Sequence, residues 1–264
     1  MRAFCLDHLS LTELDALGLI AVAADAGFGA VSLFVEPLPI CDTPDLVKNA
    51  AARLAVASAL RDRGLGVGIV EPFMIDREPD VARMQRRAAL AAELGGMVNI
   101  LGLEPDAAKL ADGVAEVVRL CRIEGAPVVI EAYPASAIRT QGAALALAES
   151  LGPDVRLTVD SLHVIRSGGS WADVAALPPE RIGHIQLNDG LLAEPESRME
   201  EAVFGRLLPG AGEFDLPALI PYLPMHATLA VEAPERRPPD TTAAQQAKRL
   251  YEAMVALLAG TPPR

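Results

Sequence analysis

Two successive stretches of the sequence decide the fold: Pro127-Val128-Val129-Ile130-Glu131 and Val155-Arg156-Leu157-Thr158-Val159-Asp160. Each is a short run of aliphatic and β-branched residues that ends on a carboxylate, and an Ala/Leu-rich segment of helical composition separates the two. Such runs are typical of strands in a buried parallel sheet, and the separating segment is long enough for one returning helix. The pair therefore predicts a repeated βα unit.

The same unit recurs along the chain. Eight strand-like runs begin near Arg2, Gly29, Gly66, Met97, Pro127, Val155, Arg181 and Ala227. Eight βα units in 264 residues match a closed barrel better than an open sheet, which more often has about five to seven strands. We therefore predict an α/β fold, a (β/α)8 TIM barrel that forms a single domain over residues 1–264. The interval before the last run is the longest and leaves room for a long loop.

Local signals predict where the helices begin and end. Ser10-Leu11-Thr12-Glu13 has the pattern of a capping box, and Asp42-Thr43-Pro44 places a cap residue before a proline of a first helical turn. Four glycines stand where helices should end and strands begin: Gly27, Gly64, Gly95 and Gly125.

Composition and charge disfavour several classes of partner. The chain has 35 acidic residues against 23 Lys and Arg, a net charge of -12, and only 4% aromatic residues, so we expect no nucleic-acid partner. The longest apolar run, Leu17 to Ala24, is too short for a membrane span, and we expect no membrane association and a cytoplasmic location. The three cysteines lack CxxC spacing, which argues against a disulfide framework or a thiolate zinc site.

Polar residues end the strand-like runs, where the chain should be buried. They are Asp7, His8, Glu36, Glu71, Asn99, Glu131, Asp160, Gln186, Asn188, Asp189 and Glu232. A lone buried carboxylate is costly, so each must pair with a cationic side chain, reach solvent or share a cation with its neighbours. Because the mouths of strands five to eight lie side by side in a barrel, we favour the shared cation.

The favoured metal ligands are one residue with an oxygen donor from the end of each of strands five to eight: Glu131, Asp160, Gln186 and Glu232. An all-oxygen set suits one divalent ion, Mn²⁺ or Mg²⁺ before Co²⁺ or Zn²⁺.

Two residues beyond the strand ends are candidates for substrate contact, and each has a structural alternative. His163, three residues after Asp160, could instead be a hydrogen-bonded loop histidine. Arg206 lies in the long loop from Asp189 to Glu213, and its alternative is a surface ion pair with Glu200 or Glu201.

Three further residues complete the predicted substrate contacts. Arg166 has the same two interpretations as Arg206. His184 shares a strand face with Gln186 and is either a neighbour of the ligands or a packed interior histidine. His8, at the mouth of strand one, lines the pocket or lies in a solvated loop.

Five motifs in this order resemble the xylose-isomerase-like TIM-barrel superfamily, and within it the sugar phosphate isomerase/epimerase family. They are Ile130-Glu131, Val159-Asp160-Ser161-Leu162-His163, Gly183-His184-Ile185-Gln186-Leu187-Asn188-Asp189, Arg206 with Leu208-Pro209-Gly210-Ala211-Gly212, and Val231-Glu232-Ala233-Pro234.

The resemblance implies one divalent metal ion on Glu131, Asp160, Gln186 and Glu232. It also implies acid/base roles for Glu131 and Glu232, and substrate contacts for His163 and Arg206. The strand-seven ligand is a His in most members and is Gln186 here, as in similar barrels of the hydroxypyruvate isomerase type. Ala137 stands where the epimerases carry a further Glu, a departure from the ketohexose epimerases.

Isomerisation, epimerisation and β-elimination of hydroxy-carbonyl compounds share one step, the removal of a proton next to a carbonyl, which a metal ion and a carboxylate promote through an enediolate. The sequence therefore predicts a metal-dependent isomerase or epimerase of a small sugar or hydroxy-carbonyl compound. Its partner would be a small polyhydroxylated carbonyl substrate, and homo-oligomerisation stays open. The alternatives are a metal-dependent dehydratase of the dehydroshikimate type and a non-catalytic sugar-binding barrel. The few histidines and the acidic charge disfavour an abasic-site endonuclease.

Overall fold

A computed structural model describes residues 3–75 and 80–260 and shows a closed barrel of eight parallel strands. Each strand pairs with the next along the chain, and the last pairs with the first, which confirms the predicted (β/α)8 architecture. Arg2, where the first predicted run begins, lies outside the described residues. The strands are β1 (Phe4–Leu6), β2 (Ala30–Phe34), β3 (Gly66–Ile75), β4 (Met97–Gly102), β5 (Val128–Glu131), β6 (Val155–Asp160), β7 (Ile182–Leu187) and β8 (Thr228–Val231).

Helices surround the barrel and pack against it through their apolar faces. They are α1 (Ala16–Ala26), α2 (Ala50–Arg63), α3 (Val81–Leu94), α4 (Ala107–Glu124), α5 (Gln141–Leu151), α6 (Ser161–Arg166), α7 (Trp171–Ala175), α8 (Arg198–Glu200), α9 (Leu216–Leu219) and α10 (Ala243–Ala259). Short 3-10 turns cover His8–Leu11, Pro179–Arg181 and Ile220–Tyr222, and Glu201–Gly205 is π-helical. No helix in the described part of the chain is long and apolar enough to cross a membrane.

The predicted helix ends are correct and two predicted helix starts are wrong. Gly27, Gly64, Gly95 and Gly125 each follow the last residue of a helix and adopt positive φ angles between 67 and 101°, which glycine tolerates best. However, α1 begins after Asp15, whose carboxylate accepts from the Gly18 N–H, and α2 begins after Asn49.

The expected cap residues make contacts between distant elements instead. The Ser10 hydroxyl donates to the Val231 carbonyl at 3.3 Å and accepts from the Ala233 N–H, so it joins the first loop to the end of β8. The Thr43 hydroxyl accepts from the N–H of Ala16, at the start of a different helix. A sequence pattern cannot show such long-range partners.

Strand register aligns the residues at the carboxyl end of the barrel. Leu101 of β4 pairs with Glu131 of β5, Glu131 pairs with Thr158 of β6, and Asp160 of β6 pairs with Gln186 of β7. Because these strands are parallel and alternate their side chains, the inward residues at their carboxyl ends face one volume.

Candidate metal centre and active site

The barrel gathers, toward its carboxyl end, six polar side chains that lie within a strand, at its end or just after it and are at least 93% buried. They are Asp7, Glu71, Glu131, Asp160, Gln186 and Glu232. Five of them are carboxylates, and such groups are stable in a protein interior only with cations, protons or hydrogen-bond donors close by.

Glu131 is held between an amide and an imidazole. The Asn99 amide donates to Glu131 Oε2 at 2.6 Å and to Glu71 Oε1 at 2.9 Å, and the Thr158 hydroxyl donates to Asn99 Oδ1, which fixes the amide orientation. On the other side, His163 Nε2 lies 3.2 Å from Glu131 Oε1. Both carboxylate oxygens of Glu131 therefore have defined partners.

His163 is positioned by Asp160, which caps the short helix α6. Asp160 Oδ1 accepts from the His163 backbone N–H at 3.1 Å, so the carboxylate also sets where the imidazole enters the site. The ring of Tyr133 packs edge-on against the His163 ring, with centroids 4.9 Å apart.

Arg206 joins two of the predicted metal ligands. Its Nη1 lies 2.6 Å from Asp160 Oδ2 and 2.8 Å from Glu232 Oε2, and its Nε donates to the Ala202 carbonyl. The side chain is only 3% exposed, so the alternative of a surface pair with Glu200 or Glu201 does not apply. The guanidinium thus places a positive charge beside Asp160 and Glu232, where the strand-end pattern had predicted a metal ion.

Arg206 lowers the pKa of both carboxyl groups that it contacts, but the net shifts go in opposite directions. Burial raises the pKa of Asp160, and the charge of Arg206 outweighs it only together with the His163 and Asn188 donors, so that the pKa falls to about 2. Burial raises the pKa of Glu232 well above its usual value, because the lowering effect of Arg206 is opposed there by the charges of Asp7, Asp160 and Glu71. Asp160 is thus the ionised partner, and Glu232 is the partner that holds its proton more tightly.

Glu71 is a second carboxyl group with a raised pKa beside the site. Burial and the charge of Glu131 raise the pKa of Glu71 to about 8. Carboxyl groups of raised and of lowered pKa therefore share this site, an arrangement that favours acid/base chemistry.

Gln186 faces the carboxylate of β1. Its Nε2 donates to Asp7 Oδ2 at 3.0 Å, and His184 Nε2 lies 3.4 Å from the same oxygen. Within the described residues, Gln186 Oε1 and His184 Nδ1 are buried without a hydrogen-bond partner. The free amide oxygen of Gln186 is therefore available as a ligand for a bound cation.

The residues present fit a divalent cation. Glu131, Asp160 and His163 each offer one ligand atom, and the three atoms lie within 4.8 Å of one another. Glu232 does not join this group among the described residues, since its carboxyl group is turned to Arg206. Glu131 and Asp160 are thus common to the predicted metal ligands and to this group of three, and His163 adds a nitrogen ligand atom.

Two residues predicted to contact substrate have their polar atoms engaged by the protein. His8 Nδ1 accepts from the Phe34 N–H and His8 Nε2 lies 3.0 Å from the Leu14 carbonyl, and the ring is stacked on Phe34. Arg166 forms the ion pair of its structural alternative, with Glu201, and donates to the Leu191 carbonyl. His184 is fully buried beneath the site, beside Asp7.

A cavity of about 220 Å³ opens over the strand ends. Glu131, His163, Arg206 and Glu232 line it, together with Glu71 and Tyr133. Four of the predicted site residues therefore share one wall that a small molecule can reach.

The ligand prediction omitted Asp7, Glu71 and Asn99, although all three stand at strand ends in the sequence. The predicted ligands all come from strands five to eight, whereas these three residues belong to the first, third and fourth strand-like runs. Asp7 lies next to Gln186 because the barrel closes through β1 and β8, and Asn99 reaches Glu131 across the adjacent strand.

The model of the xylose isomerase-like TIM barrel family matches residues 20–253. The chain belongs to this family. No curated protein matches the chain significantly by sequence.

Solved structures with the same fold share little sequence with this chain. A xylose isomerase-like TIM barrel/4-hydroxyphenylpyruvate dioxygenase fusion protein is 19% identical with a TM-score of 0.81, and the match covers all of this chain and 45% of that one. The IolI protein, solved with a bound zinc atom, is 15% identical with a TM-score of 0.81 over the full length of both chains. An L-ribulose 3-epimerase is 17% identical with a TM-score of 0.73, covering 98% of this chain and 95% of that one.

Proposed function

We propose that this protein is a divalent-metal-dependent isomerase or epimerase of a small sugar or other hydroxy-carbonyl compound. One observation carries the proposal: Asp160 with its lowered pKa, Glu232 with its raised pKa and the Glu131–His163 pair converge at the mouth of a closed barrel and line or adjoin one cavity. Membership in a family that includes sugar isomerases and epimerases supports it.

Glu131 and Asp160 would hold the metal ion, with His163 and the free Gln186 Oε1 as further donors. A divalent ion, when bound there, would polarise a substrate carbonyl and stabilise an enediolate. The zinc atom bound to IolI supports a divalent ion in a barrel of this fold, and we keep Mn²⁺ and Mg²⁺ as the expected ions beside Zn²⁺ and Co²⁺.

Glu131 and Glu232 would move the proton. They stand on strands three positions apart in a ring of eight, so they approach the cavity from separate directions. One carboxylate takes the proton next to the carbonyl, and the acid opposite returns a proton at another atom or on another face. Glu232 suits the donor role, because burial raises its pKa.

Arg206 and His163 would position the substrate. Arg206 holds the Glu232 carboxyl group and lines the cavity, where its guanidinium reaches substrate oxygens. His163 lines the same cavity and steadies Glu131 through Nε2.

The test is exchange of the proton next to the carbonyl in D₂O, followed by NMR over a panel of ketoses, aldoses and simple hydroxyketones with saturating Mn²⁺, Mg²⁺ or Zn²⁺. We expect metal-dependent exchange with at least one compound, reduced about 100-fold or more in Glu232→Gln. Glu235→Gln is the matched control, because Glu235 pairs with Arg249 outside the cavity. Unchanged exchange in Glu232→Gln would remove its acid/base role. Metal-dependent binding without exchange in the wild type would favour a sugar-binding barrel.

A further inference from the structure

The cavity above the strand ends has two chemically distinct parts. Polar side chains form its floor: Glu71 within β3, Glu131 at the end of β5, Glu232 just after β8, and Arg206 and His163. Much of the remaining wall is apolar and comes from the carboxyl ends of β2, β3 and β4 and the loops that follow them: Phe34, Leu38, Ile40, Met74, Leu101 and Leu103.

The apolar wall is continuous with the candidate catalytic groups. Met74 of β3 pairs with Leu101 of β4, and Leu101 pairs with Glu131 of β5. A molecule whose carbonyl lies near Glu131 therefore places its neighbouring atoms against Leu101 and Met74. The wall continues across the mouth to Met199 and Val203, which belong to the loop that carries Arg206.

The polar groups of the floor are largely engaged with one another. Both oxygens of Glu131 have partners, and Arg206 Nη1 is shared between Asp160 and Glu232. Among the described lining side chains away from these groups, only the Tyr133 hydroxyl offers a hydrogen-bonding atom. A polyol carries a hydroxyl on nearly every carbon, and a hydroxyl buried without a partner opposes binding.

From this division we infer that the substrate is a hydroxy-carbonyl compound with an apolar substituent, alkyl or aryl, rather than a polyhydroxylated chain. The inference rests on the proposed function, since the polar end of the substrate must lie at the metal-binding strand ends. The cavity of about 220 Å³ equals the volume of roughly seven water molecules, which limits the substrate to a small molecule.

The experiment compares ligands with one head group and different tails. Erythrulose and 1-hydroxy-2-butanone share a four-carbon hydroxyketone skeleton and differ only in two hydroxyl groups, and 1-hydroxy-2-hexanone extends the alkyl tail. Their dissociation constants are measured by ligand-observed NMR on the Mg²⁺- or Zn²⁺-loaded protein. We expect 1-hydroxy-2-butanone to bind more tightly than erythrulose. From 1-hydroxy-2-butanone to 1-hydroxy-2-hexanone, the affinity should rise about fourfold for each added methylene.

Two wall variants and one control test the source of this preference. Met74→Gln and Leu101→Asn should reduce the gain per methylene to less than about twofold, because each places an amide against the tail. Met74 is 40% exposed, so its substitution leaves the fold intact even where Leu101→Asn destabilises it. Leu54→Asn, at a helix position that is 65% exposed and far from the cavity lining, should leave the gain unchanged.

The outcomes separate this inference from the proposed function. Tighter binding of erythrulose, together with proton exchange on it, would overturn the apolar substituent and leave the isomerase or epimerase proposal standing. Tighter binding of the alkyl hydroxyketones, without proton exchange on any ligand, would support the apolar substituent and overturn the proposed isomerase or epimerase activity. Absence of metal-dependent binding to all three ligands would overturn both.

Discussion

Arg206 is the residue that most changes the account of the site. The sequence allowed a substrate contact or a surface ion pair, and the structure shows a buried guanidinium between Asp160 and Glu232. A cationic side chain of the protein therefore lies beside these two carboxyl groups, in addition to the candidate metal ion. A buried group that serves two acidic partners should matter greatly to stability.

We predict that Arg206→Met lowers the free energy of unfolding by about 3–5 kcal/mol, because it leaves buried Asp160 without its cation. Urea denaturation in EDTA measures this. Arg198→Met is the control, since Arg198 pairs with Glu194 at the surface and its loss should cost about 1 kcal/mol or less. Equal stability of Arg206→Met and the wild type would contradict the buried bridge.

His8 makes stability depend on pH. Burial lowers the pKa of His8 from its ordinary value of 6.5, and its Nδ1 must stay unprotonated to accept from the Phe34 N–H. The unfolded chain therefore binds the proton more tightly, so the stability that His8 contributes is present above about pH 6.5 and is lost as the pH falls through the folded pKa.

We predict a smaller loss of stability between pH 7.5 and pH 5.5 in His8→Asn than in the wild type, measured by urea denaturation at about these two values. Asn keeps an acceptor near the Nδ1 position and does not titrate. The absolute stability of the variant will be lower, so the comparison is between pH slopes. Identical slopes would show that His8 titrates alike in both states.

At the scale of elements, the loop after β7 determines how the site is completed. It carries Arg206 and is fixed at its base by Asp189, whose carboxylate accepts from the backbone N–H groups of Gly190, Gly210 and Phe214. A two-way backbone pairing of Asp189 with Leu207 places Arg206 directly beside this anchor.

We predict that Asp189→Ala loosens this loop and lowers stability by about 3 kcal/mol, because three N–H groups lose a charged acceptor. Hydrogen–deuterium exchange of peptides from residues 190–213 should become faster. Asp154→Ala is the control, since Asp154 pairs with Arg122 at the exposed surface away from the loop. Unchanged exchange in the loop would show that Asp189 is not its anchor.

The elements differ in how far the sequence determined them. Strand positions followed from aliphatic runs, and the helix ends followed from glycines, because both depend on local chemistry. The path of the loop after β7 depends on Asp189 meeting N–H groups more than 20 residues away. The partner of Arg206 could not be predicted for the same reason. Likewise Ser10 and Thr43, typical cap residues, bind distant elements in the folded chain.

At the scale of the whole molecule, barrel closure creates the site. It places Asp7, which follows the first strand, beside Gln186 and brings eight strand ends to one mouth, so Leu9 and Glu232, more than 200 positions apart, line one cavity. Counting strands predicted this convergence, and the predicted ligands Glu131 and Asp160 do lie together. The position of His163 beside Glu131 was not predicted, because it depends on the cap of α6 by Asp160.

Metal stoichiometry decides whether these strand ends form one divalent-metal site. After loading with Mn²⁺ or Zn²⁺ and extensive dialysis, elemental analysis should find about one ion per chain in the wild type. Glu131→Ala and Asp160→Ala should each lose it, whereas Glu235→Ala should retain it. A wild-type protein that keeps no ion, or variants that keep as much as the wild type, would contradict the account.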